Sequence, residues 1–156
     1  MTLAWFNAAP ADEARAQMLA CCASPRFAAA MADGRPYDSA AAAERAVDAV
    51  FSTMTWADVR SGMDSHPRIG ARVSGASATE QSGVADDSRA ALLAGNAEYE
   101  ERFGHVFLIC ATGLSGEQML ASLRQRLDND EPSERAVATS ELRKITVLRV
   151  RKALAG

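Results

Sequence analysis

Ser39-Ala40-Ala41-Ala42-Ala43-Glu44-Arg45-Ala46-Val47-Asp48-Ala49-Val50-Phe51-Ser52-Thr53 is the stretch on which the fold class turns. Alanine, the strongest helix former, fills it, and Ala43, Val47, Val50 and Phe51 recur at the three- and four-residue spacings of one helix face. No run of β-branched residues competes, so a helix is predicted from Asp38 or Ser39 to Thr53. The same pattern continues in both directions along the chain. It predicts an all-α protein, a compact multi-helix bundle.

Upstream, Pro10 opens a helix to about residue 23. Ser24 as cap and Pro25 at the first helical position start another over about 25–32, closed by Gly34-Arg35-Pro36. Downstream, Thr55 and Asp58 have the spacing of a capping box for a helix to about Asp64, followed by a Gly- and Ser-rich loop. A helix over 86–103 begins with Asp86, Asp87 and Ser88 and stops at Gly104, which suits a left-handed end. Leu92, Asn96, Tyr99 and Phe103 share one of its faces, where Asn96 is expected to tie the helix to a loop. Residues 106–111 read as a buried strand or a buried helical turn, because so short an apolar run has no decisive period. Ser115 and Gln118 cap a helix through about Leu127, and Pro132 begins a last long helix to about Leu154.

The chain has 156 residues, within the size of one domain, so residues 1–156 are expected to form a single unit with its own core. Its composition, 48% hydrophobic and 24% charged, is that of an ordinary globular protein. Lys and Arg are spread along a chain of net charge -3, without the basic stripe that tracks a phosphate backbone; nucleic acid is not an expected partner. Cys21, Cys22 and Cys110 form no C-x-x-C pair and have no His at ligand spacing. Reduced thiols in a cytoplasmic protein are expected, not a disulfide framework or a zinc site. The N-terminus lacks the pattern of a signal peptide, residues 106–111 are too short to span a bilayer, and the final Ala-Leu-Ala-Gly is no peroxisomal address. No membrane association is expected.

Candidate chemistry gathers in two neighbouring segments, His66-Pro67-Arg68-Ile69-Gly70 and Ser77-Ala78-Thr79-Glu80-Gln81-Ser82-Gly83. His66 is one of two histidines, the residue type whose unperturbed pKa lies near neutrality, and the proline after it stiffens its backbone. It is either a catalytic imidazole or a cap on the preceding helix through Asp64 or the backbone. Ser77 and Glu80 have capping-box spacing, a structural role compatible with a short turn whose N–H groups receive an anionic or ureide ligand. Arg149 follows Leu142 and Ile145 on one side of the last helix. Its planar fork suits a carboxylate or imide edge, and the alternative is a snorkelling side chain or a pair with Glu141 or Glu101. His105, beside Gly104, reads as structural.

No phosphate loop, nucleophile elbow, H-E-x-x-H or cluster of metal ligands is found. His66 with Glu80 would leave a metal short of ligands. Acid–base chemistry without a cofactor is the enzymatic option that remains.

Several segments occur in an order that points further: Phe6-Asn7, Cys21-Cys22-Ala23-Ser24, Arg35-Pro36, His66-Pro67-Arg68-Ile69-Gly70, Ser77-x-x-Glu80-Gln81-x-Gly83, Asn96-x-x-Tyr99-x-x-Arg102-Phe103-Gly104, Phe107-x-Ile109-Cys110-Ala111-Thr112-Gly113 and Lys144-Ile145-x-x-Leu148-Arg149. Over nearly its whole length the chain resembles the 2-oxo-4-hydroxy-4-carboxy-5-ureidoimidazoline (OHCU) decarboxylase family. The resemblance implies an all-α fold, usually a homodimer, without metal or organic cofactor. It also implies the last step of urate breakdown, decarboxylation of the ureidoimidazoline to (S)-allantoin. Carried over by position, it makes His66 the catalytic acid, with Glu80 beside it in catalysis. Pro67, Ser77, Ala78, Thr79, Glu80, Gln81, Phe107, Leu108, Ile109, Cys110, Ala111 and Arg149 become substrate contacts. Ala76 departs from the aromatic residue common before the serine, which puts the packing around Ser77 in doubt. A hydrolase of another cyclic ureide and a non-catalytic helical adaptor are the competing readings.

Overall fold

A computed structural model describes residues 1–70 and 86–156, with the side chains of the second stretch described from Ser88 onward. Among these residues the chain forms eight helices: α1 (Leu3–Ala8), α2 (Ala11–Cys21), α3 (Pro25–Asp33), α4 (Ala40–Phe51), α5 (Trp56–Met63), α6 (Asp86–Phe103), α7 (Gly116–Leu127) and α8 (Glu131–Leu154). The described residues contain no strand, only one antiparallel bridge between Thr2 and Ala155.

Local chemistry sets most helix starts. Thr55 and Asp58 form a complete capping box on α5, as Ser115 and Gln118 do on α7. Ser24 accepts the N–H of Phe27 ahead of Pro25 at the first turn of α3, and Asp130 accepts the N–H of Ser133 at the start of α8. Gly104 ends α6 with a φ of 78°, the left-handed conformation that favours glycine. Helix α1 is an addition to the sequence-based expectation. It is six residues long, too short for a periodic signal, and is started by the Thr2 side chain accepting from Trp5.

The chain divides into two compact units, one of residues 1–65 with 142–156 and the other of residues 66–141. In the first, Phe6, Met18, Phe27, Met31, Val47 and Met63 are among the fully buried side chains, with Phe27 and Phe51 in edge contact at 5.8 Å. Several motif residues act here as clasps. Arg35 donates to the carbonyls of Ala32, Phe6 and Ala9, each at 2.7 Å, and so satisfies the ends of α3 and α1. Asn7 and Tyr37 exchange two hydrogen bonds of 2.9 Å.

The second unit packs Ile69, Leu92, Tyr99, Phe107, Ile109, Ala111, Met119 and Leu123 into one apolar cluster. Helices α6 and α7 approach closely at Gly95, where a Cβ would fall 2.9 Å from Leu123. The expected face of α6 is confirmed: Leu92, Asn96 and Tyr99 are fully buried and Phe103 packs at the margin. The expectation of a strand or helical turn over 106–111 is corrected, since the segment is neither. Its length and apolar content announce burial, and two of its backbone groups, the Leu108 carbonyl and the Cys110 N–H, bond to side chains distant in sequence.

Candidate functional site

The His66 segment leaves the end of α5 and is fastened to α6 in the second unit. His66 is buried, at 8% exposure, and Pro67 is half-buried beside it. Arg68 makes a two-pronged bond to Glu100, from Nε at 2.6 Å and Nη2 at 2.9 Å. That bond lowers the Glu100 carboxyl below its ordinary pKa and raises the guanidinium. The Ile69 carbonyl accepts from Nδ2 of Asn96 at 3.1 Å, while the same nitrogen donates to Leu92. Asn96 thus ties its helix to a loop, as its place on the apolar stripe suggests.

Gly70 completes the mooring. Its φ is 93°, its carbonyl accepts from Arg89 at 2.8 Å, and a Cβ there would meet the Arg89 carbonyl at 3.1 Å and Leu92 at 3.2 Å. Both backbone conformation and space call for glycine. Asp64, which could have engaged His66, forms an ion pair with Arg60 on its own helix. The candidates Ser77, Ala78, Thr79, Glu80 and Gln81 lie outside the described residues.

The third segment, Phe107 to Ala111, is largely buried, with Cys110 half-buried. Its Leu108 carbonyl accepts from Nη1 of Arg126 at 2.7 Å, and the Cys110 N–H donates to Oε1 of Glu141 at 3.3 Å. Arg126 also lies 4.4 Å over the Phe107 ring and pairs with the fully buried Glu134 at 2.6 Å. Tyr99 donates to the same carboxylate at 2.5 Å; burial, then this bond, push its phenol well above its ordinary pKa. His105 sits in the aromatic cluster, edge-on to Tyr99 at 5.5 Å, with Nδ1 at 3.1 Å from the Val106 carbonyl. That setting fits the structural role read from its sequence position.

Arg149 is half-buried on α8, beyond the buried Leu142 and Ile145 of its stripe, in the first unit. Its charge reaches Cys21 and Cys22, where it partly offsets the effect of burial. Burial nevertheless pushes the Cys21 thiol up to about 11 and raises that of Cys22. Such thiols stay protonated and poorly nucleophilic near neutrality. Among the described residues no three of His, Cys, Asp and Glu gather as metal ligands, and no helix is long and apolar enough to cross a membrane.

Arg126, Glu134 and Glu141 are absent from the sequence-based candidates. A signal was available for the first. Arg126 follows Met119 and Leu123 on the buried stripe of α7, the argument that singles out Arg149 on α8.

The family model for OHCU decarboxylase matches residues 7–151. Among known proteins, the chain is 33% identical over 144 residues to the uric acid degradation bifunctional protein TTL of Arabidopsis thaliana, covering 85% of this chain and 44% of that protein. The chain thus spans less than half of that relative. It is also 33% identical over 137 residues to 2-oxo-4-hydroxy-4-carboxy-5-ureidoimidazoline decarboxylase of Amia calva, covering 81% of this chain and 78% of that one. Among solved structures, an OHCU decarboxylase crystallised in the presence of (S)-allantoin matches with a TM-score of 0.80 and 29% identity, over 90% of this chain and 98% of that one. An (S)-allantoin synthase shares the fold, with a TM-score of 0.70 and 16% identity, over 96% of this chain and 53% of that one.

Proposed function

The chain belongs to the OHCU decarboxylase family, and from that premise we propose that it is a carboxy-lyase that converts 2-oxo-4-hydroxy-4-carboxy-5-ureidoimidazoline to (S)-allantoin in urate breakdown, without a cofactor. The observation that carries the reading is the His66 segment. The His66 imidazole is buried just ahead of three moored residues: the Arg68 side chain is bonded to Glu100, and the Ile69 and Gly70 carbonyls to Asn96 and Arg89. A cap on a helix end needs no such mooring. A group that must meet one carbon from one side does.

The chemistry follows from the bond that breaks. Loss of carbon dioxide leaves an electron pair that the ring carbonyl and imine take up as an enolate-like anion. Donors aimed at that charge lower the barrier, commonly by about 3 kcal/mol for one well-placed group. His66 donates to the anion and then delivers its proton to the carbon that lost the carboxylate. Delivery from a fixed side gives one enantiomer. Glu80 holds the imidazole tautomer or the ureido N–H groups, Ser77 and Gln81 hold the ring edge, and Ala78 and Thr79 lie in the same stretch. Pro67 and the segment from Phe107 to Ala111 contact the heterocycle, and Arg149 grips a carboxylate or carbonyl. These roles rest on the resemblance. So do the single functional domain, the homodimer and the cytoplasmic location, which we include in the proposal.

The test generates the ureidoimidazoline in situ from urate with the enzymes that precede this step, then follows its ultraviolet decay and the circular dichroism of the product. Wild type is expected to speed the decay and yield optically active allantoin, and His66→Ala to leave a slow, racemic conversion. A spontaneous rate and racemic product with wild type would sink the decarboxylase reading.

A further inference from the structure

Residues 107–111 lie in neither a helix nor a strand, yet two of their backbone groups are taken by side chains from helices. Arg126 of α7 donates to Leu108, and Glu141 of α8 accepts from Cys110. The first of these is a costly arrangement, because Arg126 is 5% exposed and its partner Glu134 is fully buried. Taking such a pair out of water opposes its mutual attraction, and an apolar pair of similar volume commonly gives an equal or greater stability. An apolar pair could not, however, donate to the Leu108 carbonyl.

The surroundings of Glu134 show how the donor is aimed. Its carboxylate accepts from Nε of Arg126 at 2.8 Å, Oη of Tyr99 at 2.5 Å and Nδ2 of Asn129 at 3.0 Å, with Nη2 of Arg126 in ion-pair contact at 2.6 Å. With Nε bonded to the carboxylate, Nη2 in ion-pair contact with the same oxygen and Cζ 4.4 Å over the Phe107 ring, Nη1 donates to the loop.

We propose that Arg126, oriented by Glu134, and Glu141 are positioning residues that hold the main chain of residues 107–111 in the shape that receives the substrate. The inference rests on the proposed role of that segment as a substrate contact and adds what gives it its shape. None of the three side chains needs to touch the substrate. Their effect passes through the carbonyl of Leu108 and the N–H of Cys110.

The experiment measures kcat and KM for the ureidoimidazoline, product handedness and thermal unfolding for wild type and three variants. The double variant Arg126→Met/Glu134→Gln removes the charge pair, keeps an acceptor for Tyr99 and leaves Leu108 without its donor. Glu141→Ala removes the acceptor for Cys110 at a half-buried position, and Glu141→Gln restores one. The double variant and Glu141→Ala are expected to stay folded, raise KM about tenfold or more and lose part of the product's optical purity, while Glu141→Gln returns close to wild type. Folded variants with wild-type KM, kcat and handedness would overturn the inference whatever their melting temperatures, and would leave the functional reading standing. A wild type that does not speed the decay would overturn that reading and this inference with it. If the double variant does not fold, Glu141→Ala against Glu141→Gln decides.

Discussion

The two units use charge in opposite ways. In the first, the ion pairs are peripheral: Arg151 meets Glu44 at 3.0 and 2.8 Å, and Arg143 meets Asp48 at 2.8 Å, all with solvent at hand. Its interior is apolar and tight, and a Cβ on Gly62 would fall 2.8 Å from Cys22 Sγ and 2.9 Å from Leu142 Cδ2. In the second unit a charge pair, Arg126 with Glu134, sits inside the apolar cluster. Where helices make the framework, these ion pairs stay at the surface and the half-buried Arg35 clasps helix ends without a buried carboxylate. Where an irregular segment must be held, a charged side chain is brought in to hold it.

The largest effect should come from breaking the interior pair on one side only. Arg126→Ala leaves the Glu134 carboxylate buried without its cation, and the expected loss is about 3–5 kcal/mol in urea unfolding. A loss below about 1 kcal/mol would place the pair with the surface bridges and erase the contrast.

Tight packing in the first unit is tested by Gly62→Ala. Overpacking costs about 1–3 kcal/mol, and the helix propensity of alanine returns about 1 of that. A net loss near 1 kcal/mol is expected in the same unfolding assay. A more stable variant would mean that the Cys22 and Leu142 side chains yield without cost.

The smallest effect belongs to the surface. Glu44 has a lowered pKa, chiefly through its bond from Arg151, so any stabilisation from it is present above the ordinary value of 4.5 and lost as pH falls through the lowered folded value. Glu44→Gln should melt within about 2 °C of wild type at neutral pH, with the gap closing under acid conditions. A large gap at neutrality, or one that widens with acid, would show that this unit too depends on charge.

Legibility in the sequence follows the range of the interactions. The starts of α3, α5 and α7 are read from caps such as Ser24, Thr55 with Asp58 and Ser115 with Gln118, whose partners lie three residues away. Asn96 is legible because a polar residue on a buried stripe must find a partner, although the stripe does not reveal that the partner is Ile69. The shape of residues 107–111 is not legible, because the side chains that fix it lie 18 and 31 positions on, beyond any local pattern. Arg126 is half legible: its apolar stripe marks it as out of place, and only the fold supplies Glu134 and the Leu108 carbonyl. His66 and Arg149 stand out by residue type, but their chemical roles came from family resemblance and not from spacing.

The distribution of thiols gives the molecule a built-in place for an optical reporter. Cys21 and Cys22 are buried and Cys110 is half-buried, so a small maleimide dye under mild conditions should mark Cys110 first. The mark would fall on a residue of the segment that Arg126 and Glu141 hold in shape. Its fluorescence could then record the arrival and departure of ligand in real time, without a tryptophan having to be engineered into the loop.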